Sequence, residues 1–459
     1  MKATRPRFQP WLLGAAAWLA ALSSAAQSAP ALRATRPTAT RPTGAQPTTQ
    51  PAAAPLPHAP LPPPKSELHF TLVDALGALR QGHPLLAMAR ANTRAASADA
   101  HDTRLWTNPT LSANWAYGVT NSSYDRVGAW TWQVSQFLEL SGAPAERGRS
   151  SDYLTSAAQR DYDYVFFQLS CDVEAALVDW VAAERRAFNA RTARDLLGAA
   201  ARIILDRVAA GAAPKYDGDR IRLALAQIQA DVDEADAARA RARGQFAAAV
   251  GPGAEELRGE PAYELDGPRA LPSSVEAQRL LETRPDVQAA ELRAASARSS
   301  ISVAKRSVFP GVNLQLGAGL GQAPGQLDVV LGVAAPLPIL DRGQASVRAA
   351  EARKEASESY ARSIVELEAR RLDGLLEEAA RRRGAQTQFE RSAILSGDEM
   401  LREAQAGYLA GTFSVLELVD AYTTWRDAHE RNVDLLAAAR RSEIEVRRIL
   451  GPAAGEGRP

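Results

Sequence analysis

Apolar residues recur along most of the chain at steps of three and four, which is the spacing of one face of an α-helix. The clearest example is a heptad seam formed by Ile221, Leu225, Ile228, Val232 and Ala235. Two very long helices are predicted over residues 143–210 and 344–410, and shorter ones follow over 219–250 and 415–450. A helix of about 70 residues is roughly 100 Å long. The seams therefore predict long antiparallel helices packed as coiled coils.

Two pairs of segments alternate instead with a period of two, which is typical of strands with one apolar and one polar face. They are predicted at 109–118, 127–138, 310–320 and 327–336. Strands of about 9–11 residues are long enough to cross a membrane. The first pair also carries four aromatic residues: Trp115, Tyr117, Trp130 and Trp132. These would suit an interfacial aromatic belt, and they would equally serve to cover a soluble core.

The order of elements occurs twice, at an offset of about 200 residues. The anchors are His83-Pro84 with Arg284-Pro285, Pro109 with Pro310, Leu140 with Leu340, Gly211 with Gly411, and Gly251-Pro252 with Gly451-Pro452. A helical segment, 71–106 or 274–308, precedes the strands in each copy, and an X-Pro pair interrupts it early. The predicted divisions are repeat 1 (67–252), a linker (253–272), repeat 2 (273–452) and a tail (453–459).

Each long helix ends at a glycine, Gly211 or Gly411, where a turn leads into the next helix. Glycine tolerates the left-handed conformation that closes a helix, and Ser414 can accept a hydrogen bond from the free amides of the next helix. Pro214 stiffens the first turn. Carboxylates follow both turns, at Asp217, Glu417 and Asp420. They would stabilise a helix dipole on a solvated face or, if several copies converge, form a negative ring that favours cations.

The first residues predict export from the cytoplasm. Lys2, Arg5 and Arg7 precede an apolar run that ends in small residues, so 1–26 is expected to be a signal peptide. Residues 27–66 are rich in Pro, Ala and Thr and predict a disordered tether. No later run approaches the roughly 20 apolar residues of a spanning helix, so the mature chain is expected in the periplasm, outside the cell, or in a membrane through its strands. No cysteine follows the signal segment, so a lipid anchor at a signal-peptide cysteine is not expected.

Composition argues against several classes of function. The chain has 54 basic and 53 acidic residues, well mixed, so nucleic acid is not an expected partner. A single cysteine, Cys171, forbids an intramolecular disulfide. No spacing typical of zinc or copper ligands occurs, and neither a nucleophile elbow nor a phosphate-binding glycine loop is present. We therefore expect no enzyme activity, no cofactor and no structural metal.

In this order, and behind a signal peptide, the motifs resemble those of the TolC-type outer-membrane efflux family. The resemblance is carried by five segments: Thr71–Leu76 with His83-Pro84, Arg284–Val287, Phe309–Val312, Pro336–Gly343 and Gly407–Asp420. The Pro336–Gly343 segment is most similar to the CzcC-like heavy-metal-efflux branch. The resemblance covers the chain from about Leu68 to Gly451.

The resemblance implies an α+β membrane protein. Each protomer of a homotrimer would give four strands to one β-barrel in the outer membrane, and that barrel would continue into a long periplasmic α-helical coiled-coil barrel. The implied function is a passive conduit that exports metal cations or drugs. Its implied partners are outer-membrane lipid, a periplasmic adaptor and an inner-membrane pump, most similar to the RND type. The alternative that the residues leave open is a periplasmic coiled-coil adaptor or scaffold without a channel.

The resemblance also implies roles for particular residues. Asp217, Glu417 and Asp420 match acids that line the closed periplasmic aperture of the family, and Tyr408 matches an aromatic residue that holds it shut. Phe413 stands where the best-known member has an arginine, which leaves both a salt-bridge latch and an apolar latch open. The tips of the helical turns would contact the adaptor, at Gly211, Pro214, Gly411 and Ser414.

Overall fold

The computed structural model describes residues 69–119, 126–266, 271–309, 311–320 and 327–452. The predicted signal peptide (1–26), tether (27–66) and tail (453–459) lie outside these ranges, as do the side chains of 116–119 and 126–129. Among the described residues, no helix is both long enough and apolar enough to span a membrane.

The first half of the chain contains four strands and four helices within the described ranges. They are β1 (His69–Phe70), α1 (Leu72–Gly82), α2 (Pro84–Asp102), β2 (Thr110–Val119), β3 (Arg126–Leu138), α3 (Ala143–Ala209), α4 (Lys215–Val250) and β4 (Glu260–Pro261). Thr71 begins α1 with a capping box, and His83 separates α1 from α2 because Pro84 cannot continue the first helix. The Nδ1 atom of His83 then accepts a hydrogen bond from the amide of Leu85 (3.3 Å).

The second half follows the same order from α5 onward. Its described elements are α5 (Ser274–Glu282), α6 (Pro285–Arg306), β5 (Val312–Leu320), β6 (Leu327–Ala334), α7 (Gln344–Phe389), α8 (Leu395–Leu409) and α9 (Val415–Leu450). The residue before the X-Pro proline contacts the glycine that ends the last helix of its half, and this contact occurs in both halves. His83 lies against Gly251, where an added Cβ would be 3.1 Å from the imidazole, and Arg284 lies in the same way against Gly451 (2.9 Å).

Four strands form one antiparallel sheet in the order β2-β3-β5-β6. The pairs Trp115–Trp130, Trp132–Ala318 and Leu316–Leu331 set its register. Because side chains alternate along a strand, this register collects most of the apolar residues on one face and most of the polar residues on the other. β2 and β6 are the two edges, and neither has a second strand beside it in the described chain.

The helices that flank the strands repeat the order of the sheet. α3, the longest helix, packs between α2 and α6, and α6 packs in turn against α7. At 67 residues, α3 is about 100 Å long. The long helices carry separate apolar clusters along their length. In one of them, the ring of Phe70 of β1 packs against those of Trp180 and Phe246, with centroids 5.6 and 5.5 Å away.

The structure corrects several details of the predicted elements. The helical segment predicted over 71–106 ends earlier, at Asp102. α4 begins at Lys215 rather than at residue 219, because Pro214 takes the N-cap position and its extended backbone leads directly into the helix. The predicted helix 344–410 is not continuous, since a π-helical segment, Glu390–Ile394, separates α7 from α8. The predicted linker 253–272 contains a 3₁₀ turn and β4, which pairs in parallel with β1. The last strand ends at Ala334, short of the predicted 336.

The linker is held against both halves by buried polar contacts. Tyr263 donates its hydroxyl proton to Glu174 of α3 (2.9 Å), and Glu174 also pairs with Arg447 of α9. Arg440 of α9 donates to the carbonyl of Leu265 (2.8 Å). Buried carboxylates and guanidinium groups are stable only when paired in this way.

Cys171 provides a test of this packing. Its side chain is fully buried in α3, and burial raises the pKa of its thiol. We expect a thiol reagent at pH 8 to label Cys171 about 100-fold or more slowly than an exposed thiol, because labelling requires local opening and an ionised sulfur. The matched control is Ala237→Cys, an exposed position on α4. Comparable labelling rates at the two positions would contradict the described core.

Candidate functional site

The two predicted turns lie at the same end of the helices, because both hairpins contribute to one apolar cluster. α3 and α4 contribute Ile204 and Ile221, and α8 and α9 contribute Leu401, Leu418 and Tyr422. These side chains are buried. The turn that follows α3 and the turn that follows α8 are therefore the ends of one packed unit.

The first turn closes α3 with a glycine in the left-handed conformation. Gly211 has φ +72°, and its amide donates to the carbonyl of Val208 (3.1 Å) while the amide of Ala212 donates to Arg207 (2.8 Å). These two bonds are those of a Schellman motif, which satisfies the free carbonyls of a helix end. Pro214 then caps α4 without a side-chain hydrogen bond.

The second turn repeats this geometry. Gly411 has φ +75°, its amide donates to the carbonyl of Tyr408 (3.1 Å), and the amide of Thr412 donates to Gly407 (2.9 Å). A side chain at φ near +70° would be strained, so both turns require glycine. The sequence prediction of a glycine-closed helix at each position agrees with these dihedral angles.

Phe413 packs back onto the helix that it follows. A Cβ atom added to Gly407 would lie 2.7 Å from Cδ2 of the Phe413 ring, so the ring rests directly on the helix backbone. The phenylalanine remains 41% exposed on its other side. The contact with Gly407 stabilises the turn within one chain, and the exposed side of the ring is available to another chain.

Glu417 is engaged at the start of α9. Its carboxylate accepts a hydrogen bond from the amide of Ser414 (2.6 Å), and the Ser414 hydroxyl accepts one from the amide of Glu417 (3.3 Å). This reciprocal pair is a capping box. The hydrogen bond from the Ser414 amide lowers the pKa of Glu417. The stability that the box provides is therefore present above the unfolded pKa of a glutamate and is lost as the pH falls through the lower folded value.

The other two acids differ from Glu417 in their surroundings. Asp420, on α9, is exposed and makes no hydrogen bond or ion pair within the described part of the chain. Asp217, on α4, is half-buried; burial raises the pKa of Tyr408, and the nearby charge of Asp217 adds to that rise. The structure thus brings Asp217 and Tyr408 together across the two hairpins, while Asp420 remains unengaged.

Arg207 is a residue of this site that the sequence analysis missed. Its Cζ atom lies 5.5 Å from the centroid of the Tyr408 ring, within the range of a cation–π contact. Burial raises the pKa of the Tyr408 hydroxyl, and the charge of Arg207 opposes that change. Arg207 lies four residues before Gly211, just as Gly407 lies four residues before Gly411. This repeated spacing was the only feature of the sequence that could have identified Arg207 as a residue of the site.

Buried hydrogen bonds fix α8 against α9 behind the turns. Gln405 donates to the hydroxyl of Tyr422 (3.0 Å), and the indole of Trp425 donates to Asp398 (2.7 Å). His429 also lies 3.2 Å from the same Asp398 oxygen and contacts the Trp425 ring. These contacts position the helix end that carries Tyr408.

The aromatic residues predicted as a belt lie at the opposite end, in the sheet. Trp115, Trp130 and Trp132 share the apolar face, and the first two rings are 4.6 Å apart. All three are exposed. The side chain of Tyr117 lies outside the described ones. The role of these residues as a belt remains a prediction.

Metal ligands do not cluster within the described ranges. No group of three or more His, Cys, Asp or Glu side chains there is arranged to hold a metal ion.

Comparison with known proteins agrees with the predicted resemblance. Residues 277–452 match the outer membrane efflux protein family. The cobalt-zinc-cadmium resistance protein CzcC of Cupriavidus metallidurans is 24% identical over 322 residues, which cover 70% of this chain and 77% of CzcC. The resemblance to the TolC-type family is thus confirmed.

The fold is also found in solved structures. A membrane protein from Pseudomonas aeruginosa superposes with a TM-score of 0.71 at 20% identity, over 89% of this chain and 98% of that one. The CmeC outer membrane channel of Campylobacter jejuni superposes with a TM-score of 0.66 at 17% identity, over 83% and 85% of the two chains.

Substitution of Gly407 tests the Phe413 contact. In a helix interior, Gly→Ala stabilises by about 1 kcal/mol. Gly384→Ala in α7, where an added Cβ would meet nothing within 4 Å, should therefore raise the melting temperature. Gly407→Ala should lower it, because the new methyl group collides with the ring. The double variant Gly407→Ala/Phe413→Ala should melt at a higher temperature than Phe413→Ala alone, because without the ring the new methyl group no longer collides. Equal stabilisation by both single substitutions would show that Phe413 does not pack as described.

Proposed function

We propose, on the premise that this chain belongs to the outer membrane efflux protein family, that it is the outer-membrane channel of a tripartite efflux system. It is a passive conduit for small substrates that an inner-membrane pump, most similar to the RND type, and a periplasmic adaptor deliver. The observation that carries this proposal is the chemistry of the two faces of the sheet.

One face of the sheet is apolar on all four strands. Its residues are Leu111, Ala113, Trp115, Trp130, Trp132, Val134, Leu314, Leu316, Ala318, Leu320, Leu327, Val329, Leu331 and Val333. The other face carries mostly polar or small residues, among them Asn114, Gln133 and Gln315, with Phe137 and Val330 as exceptions. Most of the apolar side chains are exposed, so this face lacks a cover of protein. Outer-membrane barrels have the same division, with an apolar surface that faces lipid and a polar surface that lines a water-filled interior.

The open edges support closure by further copies of the chain. β6 runs in the same direction as β3, and β2 runs antiparallel to both, so β6 of one copy can pair with β2 of the next in the antiparallel sense that the sheet already uses. The helices follow the same order, since α2 and α7 end the row α2-α3-α6-α7 as β2 and β6 end the row of strands. Closure would remove every free strand edge, which the interior of a membrane requires. Three copies, as in the family, would form the barrel and its helical extension.

The seam between the two halves of one chain offers a template for the seam between copies. β3 pairs with β5, and α3 packs on α6 through Ser150 and Ser296, whose hydroxyl oxygens are 2.8 Å apart. Under the proposed two-fold repeat (67–252 and 273–452), β6 and α7 would repeat the positions of β3 and α3. They would therefore meet β2 and α2 of the next copy as β3 and α3 meet β5 and α6.

The turns at the far end of the helices are the proposed periplasmic aperture. Asp217, Tyr408, Phe413, Glu417 and Asp420 would surround it, and Arg207 would join Tyr408 in holding the two hairpins together. The tips at Gly211, Pro214, Gly411 and Ser414 would contact the adaptor. Tyr216 and Leu416 are exposed beside these tips and offer apolar contact area.

Metal cations are the proposed cargo. CzcC is named for resistance to cobalt, zinc and cadmium, and it is similar to this chain over most of its length. An aperture lined by Asp420 carboxylates would favour cations by electrostatic attraction. The alternative from the sequence is a periplasmic adaptor without a channel. Such a protein would not require an exposed apolar sheet face.

The proposed function is tested by location and phenotype together. The protein should be recovered from the outer-membrane fraction as a detergent-resistant trimer that heating dissociates. Deletion of its gene should lower the minimal inhibitory concentrations of Co²⁺, Zn²⁺ and Cd²⁺, and the wild-type gene should restore them. Recovery of the protein as a soluble periplasmic monomer would contradict the proposal.

The two acids on α9 should differ in single-channel recordings. Asp420→Asn removes an unengaged carboxylate and should reduce cation selectivity and divalent block in planar bilayers. Glu417→Gln should change selectivity less, because that carboxylate belongs to a capping box, and it should mainly lower the melting temperature slightly, since an amide oxygen is a weaker acceptor than a carboxylate. The reverse order of effects on selectivity would contradict the assignment of Asp420.

A further inference from the structure

Seven large apolar side chains are exposed where the sheet joins the helices, outside the strands and outside the helical core. They occur in all four connections and form a group that we call the junction collar: Leu105, Trp106, Leu140, Phe309, Leu337, Ile339 and Leu340. Their exposed fractions range from 58% for Leu105 to 95% for Leu340. Exposed apolar side chains concentrated at one level of a protein normally mark an interaction surface.

The junction collar lies at one end of the sheet. In the antiparallel register, Thr110 is opposite Ser135, Leu138 opposite Val312, and Asn313 opposite Ala334. β2 and β5 therefore begin at the same end at which β3 and β6 finish. Every collar residue follows or precedes one of these four strand ends by a few positions, so the group surrounds the sheet on its helical side.

A second copy of the chain does not account for the collar. The seam between β3 and β5 is complete within one chain, and α3 packs on α6 beside it. Leu140 and Phe309 flank that finished seam and are nevertheless 71% exposed each. A seam of the same geometry between copies would leave Leu340, the counterpart of Leu140, exposed in the same way. The occupant must therefore be something other than the next protomer.

The charges next to the collar fit a lipid surface. Lys305, on the last turn of α6, and Arg342, between Leu340 and α7, are exposed and form no ion pair in the described part of the chain. The neighbouring Asp341 accepts a hydrogen bond from the amide of Gly343 (2.9 Å). Several other cations at this level are already paired with carboxylates, as Arg104 is with Asp152 and Arg306 with Glu146. Apolar side chains beside unpaired cations match the acyl and phosphate layers of a membrane interface.

We infer that the junction collar is a membrane anchor, a surface that contacts the lipid bilayer directly. It inserts its apolar side chains into the leaflet on the helical side of the sheet, and it places Lys305 and Arg342 at the level of the lipid phosphates. This inference rests on the proposed outer-membrane location, and it adds a second membrane contact below the apolar face of the strands. The collar sets how deep the sheet sits and where the helices leave the bilayer.

Spin labels on the full chain in lipid vesicles test the anchor. The label is attached at Leu340→Cys, since native Cys171 is buried, and its collision rates with oxygen and with a neutral nickel chelate are compared in vesicles of phosphatidylethanolamine and phosphatidylglycerol. Val329→Cys on the apolar sheet face and Leu416→Cys at the helical turns are the references. We expect Leu340 to favour oxygen, as Val329 does, at a shallower depth, and Leu416 to favour the nickel chelate.

The outcomes separate this inference from the proposed function. A Leu340 label that favours the nickel chelate lies in water, and one that neither reagent reaches lies in protein, which would be the next copy. Either result overturns the anchor. A Val329 label in water would instead contradict the proposed membrane function, and the Leu340 label decides the anchor in either case.

The cations have a separate readout. The Leu340 label should lie deeper in vesicles with phosphatidylglycerol than in vesicles of phosphatidylcholine alone, and the double variant Lys305→Gln/Arg342→Gln should abolish this difference. Arg371→Gln/Arg391→Gln, which removes two exposed charges farther along the helices, should leave it unchanged. A difference that persists in the first variant would exclude the assigned phosphate contacts.

Discussion

A single chain of this protein carries a sheet that it cannot complete. Every strand of the sheet is paired on one side at least, but β2 and β6 each leave a row of amide and carbonyl groups without a strand partner in the described chain. One face of the same sheet is apolar and exposed. Free edges and an exposed apolar face are both unfavourable in water, and the free edges are still more unfavourable in lipid. Closure with further copies inside a membrane removes both costs together, and this constraint explains the position of the other elements.

The helices continue the order of the sheet and end in two similar turns. Both turns use a left-handed glycine and the same pair of backbone hydrogen bonds, so the two hairpins finish at one level. They differ in the side chains that they display. Phe413 covers Gly407, Glu417 serves the cap of α9, and Asp420 is unengaged. Acids that look alike in the sequence thus have different roles, one in the stability of a helix end and the other in the field that a permeating ion would meet.

The sequence was sufficient for elements whose signal is local. The alternation from Leu111 to Trp115 and the glycines at 211 and 411 depend on their immediate neighbours, so strand faces and helix ends could be predicted from them. The β1–β4 pair could not be predicted, because two-residue strands have no periodicity. The contact of Arg207 with Tyr408 and the contact of Phe413 with Gly407 depend on how distant helices and a turn come together. The π-helical segment within the second long helix likewise leaves no break in the apolar spacing.

The central claim is that β6 of one copy pairs with β2 of the next. Disulfide formation between these edges tests it most directly, with Val333→Cys combined with Tyr117→Cys, its partner if the β3–β5 register repeats, or with Trp115→Cys beside it. Trp132→Cys/Ala318→Cys, which are opposite each other within one chain, show that the sheet permits the reaction. We expect at least one edge pair to give covalent dimers and trimers on a denaturing gel, and Val333→Cys with Leu416→Cys to give none. Monomers alone from both edge pairs, with the internal pair oxidised, would contradict the account.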